Sequence, residues 1–378
     1  MSCCKNKFCH KPWEMMEIVH VDFNDQVTPN IFAFVCCNCW VNTPIGDVTK
    51  TSIGDTYNSR KAQKIRQSVL DGDFSYCDKQ HCPHIQNDSL PTVDEILNND
   101  TFLWDGIEMN EEQTKKYRDI IINKTVTSDG PEFLHLSYDE SCNLSCPSCR
   151  CEKVSWTEGP LYEHKKKAQQ KVIDYAFGEP HNKYIHLSIT GSGDPFGSKL
   201  FRELLFNIDG SKFPNVYINL QTNGVMFTPK YWDKMKRIHS NIDAVLISVD
   251  AGTEETYNVV RRGGNWKQLM ANLDFLSEKR KLGEIKYLRL DMIVQKRNYK
   301  EMVDLVKIAQ RIDSNVYFAS VQLWEPAELS KDFDSHAVWK EDHPEHKNFL
   351  EILQNPIFDD PRVDLGNLTE YRACLASS

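Results

Sequence analysis

The run Cys142-Asn143-Leu144-Ser145-Cys146-Pro147-Ser148-Cys149 constrains this chain more than any other stretch. Its cysteines, at offsets of four and three, sit on a segment that Ser, Asn and Pro make poorly helical, just after the apolar run Phe133-Leu134-His135-Leu136. The pattern reads as a strand end carrying a soft-metal site. Three thiolates can neither close a tetrahedral zinc site nor fill every corner of a cubane iron-sulfur cluster, so one corner is left to a ligand that is not protein. An open corner is a place for chemistry. A structural zinc loop that borrows a distant fourth ligand is the competing reading.

Downstream, strand and helix patterns alternate as in βαβ units. Strands are expected over 133–138, 184–189, 216–222, 244–249, 287–294 and 316–323, and helices over 161–177 and 298–312, with another opened by Thr228-Pro229. Ala244-Val245-Leu246-Ile247 is apolar enough for a strand buried on both faces. Polar residues close these strands: Gly191, Ser192, Gly193 and Asp194 after the second, Thr222 and Asn223 after the third, Ser248 and Asp250 after the fourth. Arg261 and Arg262 follow. Each alone reads as loop solvation, but the C-terminal ends of parallel strands are where ligands sit.

Together these features resemble the radical S-adenosylmethionine (SAM) superfamily, over roughly residues 131–325. The resemblance implies a four-iron four-sulfur cluster on Cys142, Cys146 and Cys149, with SAM chelating its open iron. It implies an α/β fold, a partial (β/α)6 TIM barrel. Gly191, Ser192, Gly193 and Asp194 stand where the family carries a GGE motif that binds the amino group of SAM, with Ser and Asp replacing Gly and Glu. By the same resemblance Thr222 and Asn223 lie near the ribose or methionine, Ser248 and Asp250 near the carboxylate or substrate, and Arg261 and Arg262 face SAM. Ser148 replaces an aromatic residue that often packs on the adenine, which leaves that contact to Trp156 or to the backbone near Met292 and Val294.

The chain holds 13 cysteines in 378 residues, and Met1-Ser2-Cys3-Cys4-Lys5 lacks the apolar core of a signal peptide, so they read as metal ligands rather than disulfides. Cys9, Cys36, Cys37, Cys39, Cys77 and Cys82 precede the central loop. A hairpin over 16–35 with cysteines at both ends, a helix over 61–70 and the pair Cys77 and Cys82 resemble the auxiliary-cluster module called SPASM, or its shorter Twitch form, here placed before the barrel instead of after it. That resemblance implies a second, auxiliary four-iron cluster held by Cys9, Cys37, Cys77 and Cys82, with Cys36 and Cys39 competing for the second place. A structural zinc module uses the same residue types. The expected domains are a small cysteine-rich iron-sulfur domain at 1–90, a helical linker at 91–130, the barrel at 131–325 and an extension at 326–378. Cys374 is a candidate hydrogen-atom donor or a spare thiol.

A net charge of -9 without a basic run argues against nucleic acid and anionic membrane as partners, and no long apolar stretch occurs, so the chain reads as soluble and cytoplasmic. The resemblance implies an enzyme in which a 5′-deoxyadenosyl radical abstracts hydrogen from substrate, fed by an electron donor such as flavodoxin or ferredoxin. Its substrate is expected to be a ribosomally made peptide that is oxidised, cross-linked, epimerised or spliced. Oxidation or rearrangement of a small molecule such as a sugar alcohol or nucleoside is the alternative, and a SAM or iron-sulfur binding protein without turnover is a third.

Overall fold

A computed structural model describes residues 4–21, 30–104, 107–323 and 327–376, with side chains to residue 372. The described chain is mixed α/β and divides into two compact units, residues 1–139 with 158–188, and residues 140–157 with 189–378. These limits fall elsewhere than the expected boundaries at 90, 130 and 325.

In the first unit β1 (Met15–Val21) and β2 (Asn30–Phe34) form the expected hairpin, and β3 (Gly46–Asp47) pairs antiparallel with β2. A second hairpin, β4 (Phe102–Trp104) and β5 (Ile107–Met109), stands apart as its own small sheet. The first barrel strands, β6 (Phe133–Ser137) and β7 (Ile185–Ile189, belonging to this unit through Ser188), lie beside the first hairpin in the order β7-β6-β1-β2-β3. β1 runs parallel to β6, with Met16 opposite Leu134 and Ile18 opposite Leu136, all fully buried. The N-terminal hairpin therefore extends the barrel's own strands instead of standing as a separate sheet. Residues 91–130, expected as a linker, also pack inward: Trp104, Tyr117 and Ile121 share one apolar cluster with Phe8, Trp13 and Phe74. The capping box of Thr92 and Glu95 is present at the helix Val93–Asn98.

Arg66, on the helix Arg60–Leu70, is fully buried. Its guanidinium donates to Pro12 O at 2.8 Å, Tyr57 O at 2.9 Å and Val126 O at 2.9 Å, tying a 3-10 turn, the end of the preceding helix and a loop to this helix. Arg66→Met leaves the carbonyls of Tyr57 and Val126 without this donor in the interior, while Pro12 O keeps the Tyr57 hydroxyl at 3.0 Å, so thermal unfolding should show a loss of about 2–4 kcal/mol. A change below ~1 kcal/mol would mean that water replaces the guanidinium at no cost.

His135 on β6 lies 3.1 Å, Nδ1 to Oγ, from Ser188 on β7, and burial pulls its imidazole down to about 4. Because the folded value is depressed, the stability carried by the neutral ring is present above the ordinary value of 6.5 and is lost as pH falls towards 4. The ring keeps partial exposure, which limits the loss to about 2 kcal/mol. Urea midpoints measured between pH 7 and pH 4 should fall more steeply for the natural chain than for His135→Gln; parallel curves would sink this assignment.

The second unit carries β8 (Val216–Thr222), β9 (Ile242–Ser248), β10 (Tyr287–Val294), β11 (Asn315–Ser320) and β12 (Val363–Asp364) in the order β12-β11-β10-β9-β8, every pair parallel. Four of these occupy the expected stretches. The fifth comes from the C-terminal extension, where Val363 pairs with Val316 beside β11. Helices Pro229–Lys234, Trp266–Lys281 and Met302–Ile312 make the crossovers between successive strands. Among the described residues no helix is long and apolar enough to cross a membrane.

Candidate functional site

In the second unit the central loop is held closed by its own backbone. Cys142 N donates to Val154 O at 3.0 Å, Trp156 N to Ser141 Oγ at 2.8 Å, and both Cys149 N and Arg150 N to Cys146 O at 3.0 Å. Gly197 lets the loop approach: a Cβ there would sit 2.9 Å from Asn143 N and 3.0 Å from the Cys142 Cα. The loop so fixed brings Cys142, Cys146 and Cys149 to the edge of an open pocket of about 560 Å³. The opposite wall is made by strand ends, Thr190 to Gly193 after β7, Gln221 to Asn223 at the end of β8, and Ser248 closing β9.

Each sulfur faces a nitrogen donor. Leu144 N donates to Cys142 Sγ at 3.4 Å, and Asn223 Nδ2, which donates to Asn143 Oδ1 at 2.9 Å, stands 3.8 Å from the same sulfur. Arg150 donates to Cys149 Sγ through Nε at 3.4 Å and Nη2 at 3.2 Å, and to the carbonyls of Glu140 and Ser192 at 2.6 Å each. Arg261 Nη1 is 3.7 Å from Cys146 Sγ, while its Nη2 pairs with Asp250 Oδ2 at 2.8 Å. Burial pushes the Cys142 thiol up to about 12 and raises Cys146, which the Arg261 charge opposes. Without a metal these thiols hold their protons, so loading the site releases them.

Of the residues expected to contact SAM, Gly191, Ser192, Gly193, Thr222, Asn223, Ser248 and Arg261 line this pocket. Asp194, Asp250 and Arg262 do not. The Asp194 carboxylate, expected to meet the SAM amino group, is turned into the fold instead. Its Oδ1 accepts from Phe196 N and Gly197 N, both at 2.9 Å, and its Oδ2 from Thr222 Oγ1 at 2.7 Å and Asn223 N at 2.8 Å. Asp250 is occupied by Arg261 and by Ile293 N, which donates to its Oδ1 at 2.7 Å. Arg262 braces the cysteine loop through Ser145 O at 3.0 Å and Glu328 Oε2 at 2.8 Å. Met292 and Val294 are fully buried, and neither they nor Trp156 line the pocket. Arg150 and Gln221 line it without having been singled out from the sequence. The signal for Arg150 was its place next to Cys149.

In the first unit Cys9, Cys36, Cys77 and Cys82 line one pocket of about 400 Å³, walled by Phe74, Trp40 and Ile85. Burial, and then the charge of neighbouring cysteines, pushes Cys36 and Cys77 up to about 12 and raises Cys9 well above the ordinary thiol range. Cys37, expected in second place, lies on a different pocket with Trp40 and Pro83, and Cys39 is exposed. Both cysteines lie on the segment that follows β2, and it is Cys36 that turns inward. Cys39 Sγ donates to Asn38 Oδ1 at 3.6 Å, and the nearness of the two thiols raises Cys37 and lowers Cys39. Cys4, which reads as a tail residue, is buried beside this core. Cys374 lies on the helix Thr369–Ala376, and its side chain is outside the described residues.

The donor chemistry fits iron-sulfur ligation at both places, with three buried or half-buried thiols in the second unit and four in the first. Among the described residues no three His, Cys, Asp or Glu side chains close on a single ion; both sets stand around a pocket. Beside the central pocket the Nε of Arg261 is buried without a hydrogen-bond partner among the described residues.

The model of the Radical SAM superfamily matches residues 138–309, from the cysteine loop to the helix before β11. No curated protein matches the chain. Among solved structures, Streptococcus suis SuiB bound to precursor peptide SuiA is similar at a TM-score of 0.47 and 14% identity, over 83% of this chain and 64% of that one. SuiB bound to S-adenosylmethionine gives a TM-score of 0.39 and 14% identity, over 69% and 56%. The chain thus spans less than two thirds of the length of these structures.

Proposed function

With residues 138–309 a radical SAM domain, we propose that this protein is a radical SAM enzyme whose chemistry runs in the pocket behind Cys142, Cys146 and Cys149. The observation that carries the reading is the convergence of three thiols and three strand ends on one pocket. A four-iron cluster held by these thiols, with SAM beside it, would supply the one-electron chemistry that removes a hydrogen atom from substrate.

The chain's own residues bind and orient. Cys142, Cys146 and Cys149 would ligate the cluster, and the N–H groups that face them stabilise the thiolates. Gly191 to Gly193 would present backbone to SAM, with Thr222, Asn223 and Ser248 on the same wall of the pocket. Arg261, fixed by Asp250, would bring its positive charge to the pocket wall beside Cys146. Asp194 ties the segment after β7 to the end of β8 through its carboxylate, and to the cysteine loop through its backbone N–H, which donates to Ser141 O at 2.9 Å. Cys9, Cys36, Cys77 and Cys82 would hold an auxiliary iron-sulfur cluster, with a structural zinc as the competing occupant.

The proposed substrate is a ribosomally made peptide, a reading that rests on the likeness of the N-terminal cysteines to the SPASM and Twitch modules. A small molecule remains the alternative substrate. The test is anaerobic incubation of reconstituted protein with reductant and SAM. 5′-Deoxyadenosine should form, and with a deuterated peptide substrate it should carry deuterium. Failure to form it at all would reduce the protein to a binding role; deuterium from a sugar alcohol or nucleoside but from no peptide would overturn the peptide reading.

A further inference from the structure

The sequence Cys36-Cys37-Asn38-Cys39 is divided by the fold. Cys36 turns to the four-thiol pocket, and the remaining two thiols stand on a turn of their own, where Cys39 Sγ donates to Asn38 Oδ1 at 3.6 Å. That turn is rigidly built: Trp40 N and Val41 N both donate to Cys37 O at 2.9 Å, and Asn38 N donates to Glu17 Oε2 at 2.7 Å. Cys39 is exposed, whereas Cys37 is half-buried at the edge of an open pocket of about 850 Å³ walled by Met15, Trp40 and His84. One thiol is thus offered to solvent, and its partner waits one residue away with room beside it for a leaving group.

We propose that Cys37 and Cys39 are a redox-active dithiol that exchanges with low-molecular-weight disulfides, separate from the metal-binding cysteines. The exposed Cys39 sulfur attacks one sulfur of a disulfide RSSR, breaking its S–S bond and expelling RS⁻. Cys37 then attacks the Cys39 sulfur of the mixed disulfide, forming the Cys37–Cys39 bond and expelling the second RS⁻. The two protein thiols are oxidised by two electrons, RSSR is reduced, and the two thiol protons end on the two leaving thiolates. The arrangement of an accessible attacking thiol with a resolving thiol next to it is what such exchange requires. The inference takes from the proposed function only that Cys36 belongs to the four-thiol set.

The test uses the anaerobically reconstituted full chain, treated with oxidised glutathione, quenched in acid, alkylated and mapped by mass spectrometry, with iron counted in parallel. The natural chain should lose two alkylatable thiols, mapped to Cys37 and Cys39, with its iron unchanged. Cys37→Ser should stop at one glutathione adduct on Cys39, and Cys39→Ser should form no disulfide. A disulfide that includes Cys36, the absence of any disulfide, or loss of iron in the Cys37→Ser/Cys39→Ser double variant would overturn the proposal. If the four-thiol set binds zinc or nothing while Cys37 and Cys39 still exchange, the auxiliary-cluster reading fails and this one stands.

Discussion

Replacing Cys142, Cys146 and Cys149 together by alanine is expected to abolish 5′-deoxyadenosine formation altogether. The three sulfurs stand at one pocket edge, and among the described residues no other thiol lines that pocket: the rest of the lining is Leu144, backbone, hydroxyl, amide and guanidinium. Soft iron has no comparable ligand among these groups. The first unit has its own core and its own four thiols, so metal held there should survive the substitution. Product is read by chromatography after incubation with reductant and SAM. Any turnover near the natural rate in the triple variant would remove the loop from the chemistry.

Asp194→Asn is expected to cost both stability and activity, because the carboxylate accepts four hydrogen bonds, from Phe196 N, Gly197 N, Thr222 Oγ1 and Asn223 N. An amide presents hydrogen atoms on one side, where two of those donors already point. Opposed donors in the interior should lower stability by about 2–4 kcal/mol. Displacement of the Gly191 to Gly193 segment and of Asn223 by even an ångström should slow 5′-deoxyadenosine formation on the order of a hundredfold. Thr222→Val, which removes one donor to the carboxylate and the acceptor of Gly224 N but leaves the carboxylate charged, should cost about 1–2 kcal/mol. The two roles considered for Asp194 separate cleanly here. If it met the SAM amino group directly, Asp194→Asn would raise the KM for SAM with its melting temperature intact; as a brace, it lowers the melting temperature first.

Much of this was legible in the residues because it is local. The strands that became β6 to β11 announce themselves by apolar runs that end in polar residues, and the cysteine spacing marks its loop. What was not legible is non-local pairing. Nothing in Met15–Val21 says that it will lie parallel to Phe133–Ser137, more than a hundred residues on, because a parallel partner leaves no turn signal between the strands. The same holds for Val363 beside Val316. Asp194 and Arg66 show a second limit. A charged side chain on a loop or a surface-like helix looks solvated until the carbonyls and N–H groups that consume it are placed, and those come from distant segments. The choice between Cys36 and Cys37 is a third, since only the direction of one short segment decides it.

The most direct test of the central claim is a count of iron, acid-labile sulfide and zinc on anaerobically reconstituted protein, natural chain against the Cys142→Ala/Cys146→Ala/Cys149→Ala variant. Two cubane clusters predict about eight irons falling to about four, with sulfide falling in step. About four falling to none with zinc retained would keep the catalytic site and assign the first unit's thiols to zinc. An iron count that the triple substitution leaves unchanged would contradict the account, because the cluster would then lie somewhere other than the loop on which the whole pocket is built.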